Sequence, residues 1–228
     1  LIIITEQSGN DLIDYQIKIE LTSSWDGWSY VSSDGSDIYF LDANGNPLYY
    51  WIESFDYTNQ EATIWVKVPS IPSSSSITIY MYYGGDNPYS VYNDPENVFD
   101  IWDSFEGSSI LSYTTIDSGT YEFSTSTSRE GSYSLRYIES NSAGGGEIYG
   151  KISYSPSLGC VIEAWIMPSF DDPVKEHGIR FFLTNSIAVG FRNEGGGDNP
   201  YLLIEDVSSS TILESKLISN WVQDTWYY

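Results

Sequence analysis

Apolar and polar residues alternate one by one along much of this chain. In Tyr15-Gln16-Ile17-Lys18-Ile19-Glu20-Leu21 the odd positions are apolar and the even ones polar. Ala62 to Val68 and Ile77 to Tyr83 repeat the pattern, and Cys160 to Met167, Ile179 to Leu183, Ile187 to Phe191 and Tyr201 to Ile204 come later. A period of two gathers the apolar side chains on one face of an extended strand, so each run predicts a strand with one buried face. Turn-forming clusters separate the runs: Ser8-Gly9-Asn10-Asp11, Asn44-Gly45-Asn46-Pro47, Pro69 to Pro72 with four serines after it, Gly144 to Gly146, and Gly195 to Asp198. No segment of ten or more residues shows a helical period. Strands recurring roughly every 8 to 12 residues predict an all-β chain of antiparallel β-sandwiches, jelly-roll-like and two in tandem. The dense turn signals at Gly84 to Pro88 and Asn93 to Asn97 place the boundary near residue 98, giving domains 1–98 and 99–228.

Composition narrows the function. The chain has 228 residues, 32 acidic against 9 basic, for a net charge of −23. Both halves share it: 2 basic against 14 acidic residues give −12 for 1–98, and 7 against 18 give −11 for 99–228. Such a surface repels phosphate backbones and anionic lipid, so no nucleic-acid partner is expected. No run approaches the ~20 apolar residues of a membrane span, so no direct membrane insertion is expected in this segment. The single Cys160 sits in an apolar run and reads as an inert core thiol. Ser, Thr, Tyr, Asn and Gly dominate the polar positions, a balance that points to an extracellular or cell-surface protein. The chain starts at Leu1 without a basic leader, so a signal or anchor is expected to have been removed or left out.

Catalytic chemistry lacks its parts. The one histidine, His177, lies in a stretch that reads as a loop, and no Gly-x-Ser-x-Gly elbow accompanies it. One His and one Cys cannot build an ordinary zinc site. A glycosidase needs two carboxylates across the scissile bond, but Asp171-Asp172 and Glu205-Asp206 are adjacent and would point to opposite faces of a strand. The chain is therefore expected not to be an enzyme. Asp42, Asn44 and Asn46 have the spacing of a calcium loop, yet Pro47 stands where that loop needs glycine, and Asn44-Gly45 instead predicts a tight hairpin.

Asp14 to Leu21, Gly35 to Phe40, Asp42 to Leu48, Tyr50-Trp51-Ile52-Glu53 and Ala62 to Tyr83 together carry a resemblance. They are similar to a domain of unknown function found in archaeal and bacterial surface proteins, often just before a concanavalin A-like lectin module. The likeness spans nearly all of 1–98. It implies a surface location and no particular activity.

In the second half the carriers are Asp103-Ser104-Phe105-Glu106-Gly107, Gly131 to Arg136, Ile162 to Pro168 and Asp224 to Tyr228. In this order they resemble concanavalin A-like, laminin-G-like jelly-roll modules. In those modules Thr-Trp-Tyr-Tyr is followed by further strands, whereas this chain stops at Tyr228. The expectation is a fragment of a longer protein, or a last strand supplied in trans by another chain. The resemblance also implies a structural Ca²⁺ held by Glu106, Glu130 and the Gly131 carbonyl, with Asp103 a further participant.

Sugars are recognised by flat aromatic faces with polar groups beside them. Alternation puts Trp65, Tyr80 and Tyr82 on the outward faces of their strands, and Trp25, Trp28 and Tyr30 fall in a loop-like stretch. These aromatics are the candidate ligand contacts, with packing against the other sheet as the competing reading. Three functions are consistent with this pattern: an extracellular, non-catalytic adhesion or carbohydrate-binding protein; a subunit of a surface filament or layer assembled by β-strand addition; and a binding appendage of a secreted glycoside hydrolase. The expected partners are a glycan, another surface protein, or further copies of this chain.

Overall fold

The computed structural model describes residues 1–106 and, beyond them, 112–116, 120–138, 147–151, 165, 167, 176–182, 187–194, 201–206, 209, 211–217, 225 and 226. The chain is all-β, and its contacts divide it into two units, Leu1–Trp102 and Asp103–Tyr228.

The first unit contains six strands: β1 (Ile2–Thr5), β2 (Leu12–Leu21), β3 (Tyr39–Asp42), β4 (Tyr50–Asp56), β5 (Glu61–Ile71) and β6 (Ser76–Tyr82). They form two three-stranded antiparallel sheets, ordered β1-β6-β3 and β2-β5-β4. The central strand β5 shows why the pattern works. Ala62, Ile64, Val66 and Val68 are buried, while Thr63, Trp65 and Lys67 between them face outward and are half-buried. Phe40, Ile79 and Ile38 from the first sheet and its approach meet these residues and Tyr50 in one buried cluster. Each fully buried aliphatic or aromatic side chain there contributes about 1.5–3 kcal/mol.

Proline and glycine mark the local departures. Pro69 in β5 has no N–H to offer its neighbour β2, and Asp14, which stands opposite it between the paired residues Ile13 and Tyr15, takes a positive φ of 50°. The Trp25 indole lies over Gly27, where a Cβ would come within 2.1 Å of the ring.

The Asn44-Gly45 turn is tight, as expected, but it is not a hairpin within one sheet. Only Leu41 and Pro47 bridge across it before the chain crosses to the other sheet as β4. Asp42 organises it, accepting the amides of Asn44 and Asn46 at 2.8 Å and the Asn46 side-chain amide at 2.8 Å. Desolvation works against the Asp42 charge, and these hydrogen bonds outweigh it and hold its pKa below the ordinary value. Its oxygens are turned to N–H donors, not to a cation. Glu6 plays a similar part between two other loops. It is 5% exposed and accepts amides from Ser8, Gly9 and Ser74.

In the second unit, β7 (Ser112–Ile116), β10 (Glu147–Lys151), β11 (Glu176–Phe182), β12 (Ile187–Glu194), β13 (Tyr201–Asp206) and β14 (Thr211–Leu217) form a sheet ordered β14-β13-β12-β11-β10-β7. The strands β8 (Thr120–Ser124) and β9 (Ser134–Ile138) make a separate hairpin. Contrary to the wholly antiparallel expectation, β10 and β11 are parallel. His177 falls inside β11 rather than in a loop, because Glu176 to Phe182 pair residue by residue with Glu194 to Ala188. Cys160 and the strand expected from it to Met167 lie outside the described residues, apart from Trp165 and Met167.

Candidate functional site

After β6 the chain does not leave the first unit at once. Residues 84–102 run from one sheet to the other, and their anchors are specific. The Gly84 amide donates to Asp37 at 2.6 Å, and Asn87 Nδ2 reaches the carbonyls of Ser36 and Ile38 and the Tyr50 hydroxyl at 2.9–3.1 Å. Burial raises the Tyr50 pKa, while the Asn87 contact acts the other way. The Asp94 amide donates to the Tyr50 carbonyl at 2.8 Å. Asp94 then caps a single helical turn, α1 (Pro95–Val98), accepting from Glu96 and Asn97, with proline at its first position. Gln16 Nε2 on β2 donates to the Val98 carbonyl at 2.9 Å, and Val98 is fully buried.

This crossing segment covers the outer face of β2-β5-β4. Trp51 and Trp65 are register partners on that face, and Phe99 packs edge-on to both at 5.7 and 5.5 Å between centroids. Trp102 lies 4.4 Å from Trp51 and stacks with Phe99 at 5.8 Å. Trp65 is tied further, donating from Nε1 to Glu53 at 2.9 Å and lying 5.8 Å from the Lys18 ammonium. The first unit runs to Trp102, and Phe99 and Trp102 complete the packing of its β2-β5-β4 face.

The opposite face has no such cover among the described residues. On β1-β6-β3 the outward positions are Ile3, Thr5, Ser76, Thr78, Tyr80, Tyr82, Tyr39 and Leu41, and none is charged. Tyr82 is 43% exposed, and its ring stacks flat on Tyr39, 5.0 Å away with planes 5° apart. Tyr39 meets Tyr89 at 5.5 Å, Tyr89 meets Tyr92 at 6.0 Å, and Tyr92 meets Tyr49 at 4.8 Å. Tyr49, 37% exposed, immediately precedes β4. Five tyrosines thus form a continuous belt from the outer face of one sheet, along the side where β3 and β4 are the edge strands, toward the other sheet. Their hydroxyls have no hydrogen-bond partner among the described residues. Such a belt offers aromatic faces and edges for stacking, with hydroxyls that can donate or accept.

The expected ligand contacts therefore separate. Trp65 and the pair Tyr80 and Tyr82 lie on different sheets and face away from each other. Tyr82 belongs to the belt, and Tyr80 sits beside it, half-buried, opposite Leu41. Trp28 is a core residue, correcting its expected role: it is 3% exposed, donates to the Thr22 carbonyl at 2.8 Å and packs on Phe55 and Tyr57. Trp25 fills the gap between Trp28 and Tyr83 at 5.2 and 4.9 Å. Tyr30 beside them is 72% exposed and outside this cluster. Tyr39, Tyr49, Tyr89 and Tyr92 were not singled out by the sequence. Their signal was present as tyrosines near the turn-rich stretch, but only the crossing segment brings them into line.

In the second unit Glu106 and Gly131 do meet. The Glu106 carboxylate accepts the Ser132 amide at 3.0 and 3.1 Å and the Tyr133 amide at 3.0 Å. Gly131 has φ +61°, and a Cβ there would lie 2.3 Å from Glu106 Oε1. The Gly131 carbonyl accepts the Ser128 hydroxyl, Asp103 accepts the Phe105 amide at 2.8 Å, and Glu130 is exposed. Ca²⁺ requires six to eight oxygens. Among the described residues no three acidic, His or Cys side chains converge on one point. The Glu106 turn is an amide-bound carboxylate, and the residues described there do not by themselves fit a calcium cage.

Comparison with known proteins touches part of the chain. Residues 34–118 match a family described as a domain of unknown function (DUF2341). That stretch includes β3 to β6 and the whole crossing segment, so the segment lies within the family's pattern. The chain is also 38% identical over 90 residues to Uncharacterized protein 562 of Sulfolobus islandicus rod-shaped virus 1, an alignment covering 33% of this chain and 16% of that protein. The chain thus spans well under two thirds of that relative's length. No solved structure matches.

Proposed function

We propose that this chain is an extracellular, non-catalytic adhesion or carbohydrate-binding protein whose ligand lies along the tyrosine belt. The observation that carries the reading is the run of five contacting rings, Tyr82 and Tyr49 exposed and the three between them half-buried, whose hydroxyls have no hydrogen-bond partner among the described residues, beside a charge-free sheet face. Stacking on exposed rings together with polar groups at their rims is the physical basis of sugar recognition. The reading takes the units as tandem β-sandwiches of jelly-roll kind, the second concanavalin A-like, and it rests on the motif resemblance in residues 103–228. The surface location rests on the acidic, hydroxyl-rich composition. A glycan array probed with the fluorescently labelled chain tests it: signals that weaken in Tyr82→Ala support the reading, and an array without signal refutes it.

A second reading is assembly by strand addition. The ten-residue strand β2 is an edge of its sheet, with Ile13 66% and Tyr15 45% exposed. Long exposed edges template pairing with another chain. Electron microscopy of concentrated chain would show filaments that Tyr15→Pro abolishes, and a monodisperse monomer would exclude this route.

A further inference from the structure

The belt also constrains which glycan it takes, an inference that rests on the binding reading above. Residues 1–102 hold fifteen Asp and Glu against two cations, Lys18 and Lys67. Lys18 on β2 faces the covered side, where it pairs with Glu20 at 3.3 Å and sits against Trp65, and Lys67 on β5 stands opposite Tyr49 at the belt's far end, its amide donating to the Tyr49 carbonyl at 2.9 Å. No Lys or Arg of this unit stands among the outward positions of β1-β6-β3 or in the crossing segment that carries Tyr89 and Tyr92. A uronate or sulfate placed along Tyr82, Tyr39, Tyr89 and Tyr92 would therefore meet no counter-charge, Lys67 standing only at the Tyr49 end, and would enter the field of a strongly acidic unit. The belt is also too long for one sugar. Four successive ring-to-ring contacts of 5.0, 5.5, 6.0 and 4.8 Å link Tyr82, outward on one sheet, to Tyr49, outward beside β4 of the other. A single pyranose covers one or two rings, and only a chain of several can use all five.

We infer that the ligand is an uncharged, linear polysaccharide that lies along Tyr82, Tyr39, Tyr89, Tyr92 and Tyr49, with several successive sugar units in contact. Affinity then grows with chain length, and salt leaves it unchanged because no ion pair forms and no counterion is released. Removing one ring weakens a long oligosaccharide by roughly threefold to tenfold, the worth of one aromatic contact.

The test uses the whole 228-residue chain. Affinity electrophoresis in gels holding mannan, soluble cellulose derivatives without charge, polygalacturonate, alginate or heparin sorts ligands by charge. Calorimetric titration with neutral oligosaccharides from dimer to hexamer sorts them by length, on wild type, Tyr82→Ala, Tyr89→Ala and the ring-preserving Tyr82→Phe. The expected result is retardation by one or more neutral polymers alone, affinity rising toward the hexamer, weaker binding in both alanine variants, and stacking retained in Tyr82→Phe. Far-ultraviolet circular dichroism confirms that each variant is folded. Retardation by the anionic polymers alone, lost in Tyr82→Ala, overturns the neutral class while leaving the belt a binding site. A monosaccharide bound as tightly as the hexamer overturns the extended mode. Binding to none of them overturns both this inference and the reading it rests on.

Discussion

The two outer faces of the first unit are built on similar sheets and have opposite fates. On β2-β5-β4 the central Trp51 and Trp65 are overlaid by Phe99 and Trp102 and tied by Glu53 and Lys18. On β1-β6-β3 the exposed Tyr82 stacks on the half-buried Tyr39, and neither hydroxyl has a hydrogen-bond partner among the described residues. One segment, 84–102, makes the difference: its first half lays Tyr89 and Tyr92 along the side, and its second half closes the tryptophan face. An outward aromatic in a strand is therefore not a site in itself. Whether its ring serves stability or remains open depends on where the chain runs after the last strand.

Substitutions can pull the two roles apart. The largest effect is expected from the core both faces share. Phe40→Ala deletes a fully buried ring that packs on Tyr50 and should cost about 3–5 kcal/mol in urea unfolding. Next comes the covered face, where Trp51→Ala removes contacts with Phe99 and Trp102 and should cost about 1–3 kcal/mol, with ligand binding intact. Gly131→Ala tests the other unit, since its positive φ and the nearby Glu106 carboxylate both oppose a Cβ, and a loss of about 1 kcal/mol or more is expected in thermal unfolding. The smallest stability change, under about 1 kcal/mol, belongs to Tyr82→Ala on the open face, where binding should fall instead.

Acid provides a test independent of the aromatics. Glu6 ionises at about 2 against an ordinary 4.5, because the Ser8 side chain and the Ser74, Ser8 and Gly9 amides hold its charge. The unfolded chain takes up this proton first as the pH falls. Its stabilisation is thus complete above 4.5 and is lost between 4.5 and about 2. Asp34, Asp42 and Asp56, also lowered by turn hydrogen bonds, add losses of the same sign below 3.8. Urea midpoints measured across this window should fall, and Glu6→Gln should flatten part of the slope.

Much of the fold was legible because strand periodicity is local. The runs around Ile64 and Ile79 gave strands with the expected inward residues, as did Ile17, Ile19 and Leu21 of the first run, whose Tyr15 is instead 45% exposed, and the Asn44-Gly45 turn was correctly tight. Its consequence was not legible, since a turn's residues do not say whether its flanking strands share a sheet. The candidate site was legible in part. Tyr82 could be placed outward by alternation, whereas the alignment of Tyr39, Tyr89, Tyr92 and Tyr49 depends on Asn87 and Asp94 pinning a non-repetitive segment to Tyr50. Trp28 misled because a short 3-10 turn at Asp26–Ser29, which has no period of two, rolls it into the core.

The most direct measurement is a paired calorimetric titration of the best-bound neutral hexasaccharide into Tyr82→Ala and Trp65→Ala, one substitution on each face. With the ligand on the open face, Tyr82→Ala binds roughly threefold to tenfold more weakly than wild type, while Trp65→Ala keeps its affinity and loses stability. Loss of binding in folded Trp65→Ala, with Tyr82→Ala unaffected, would contradict the tyrosine belt as the site and move it to the covered face.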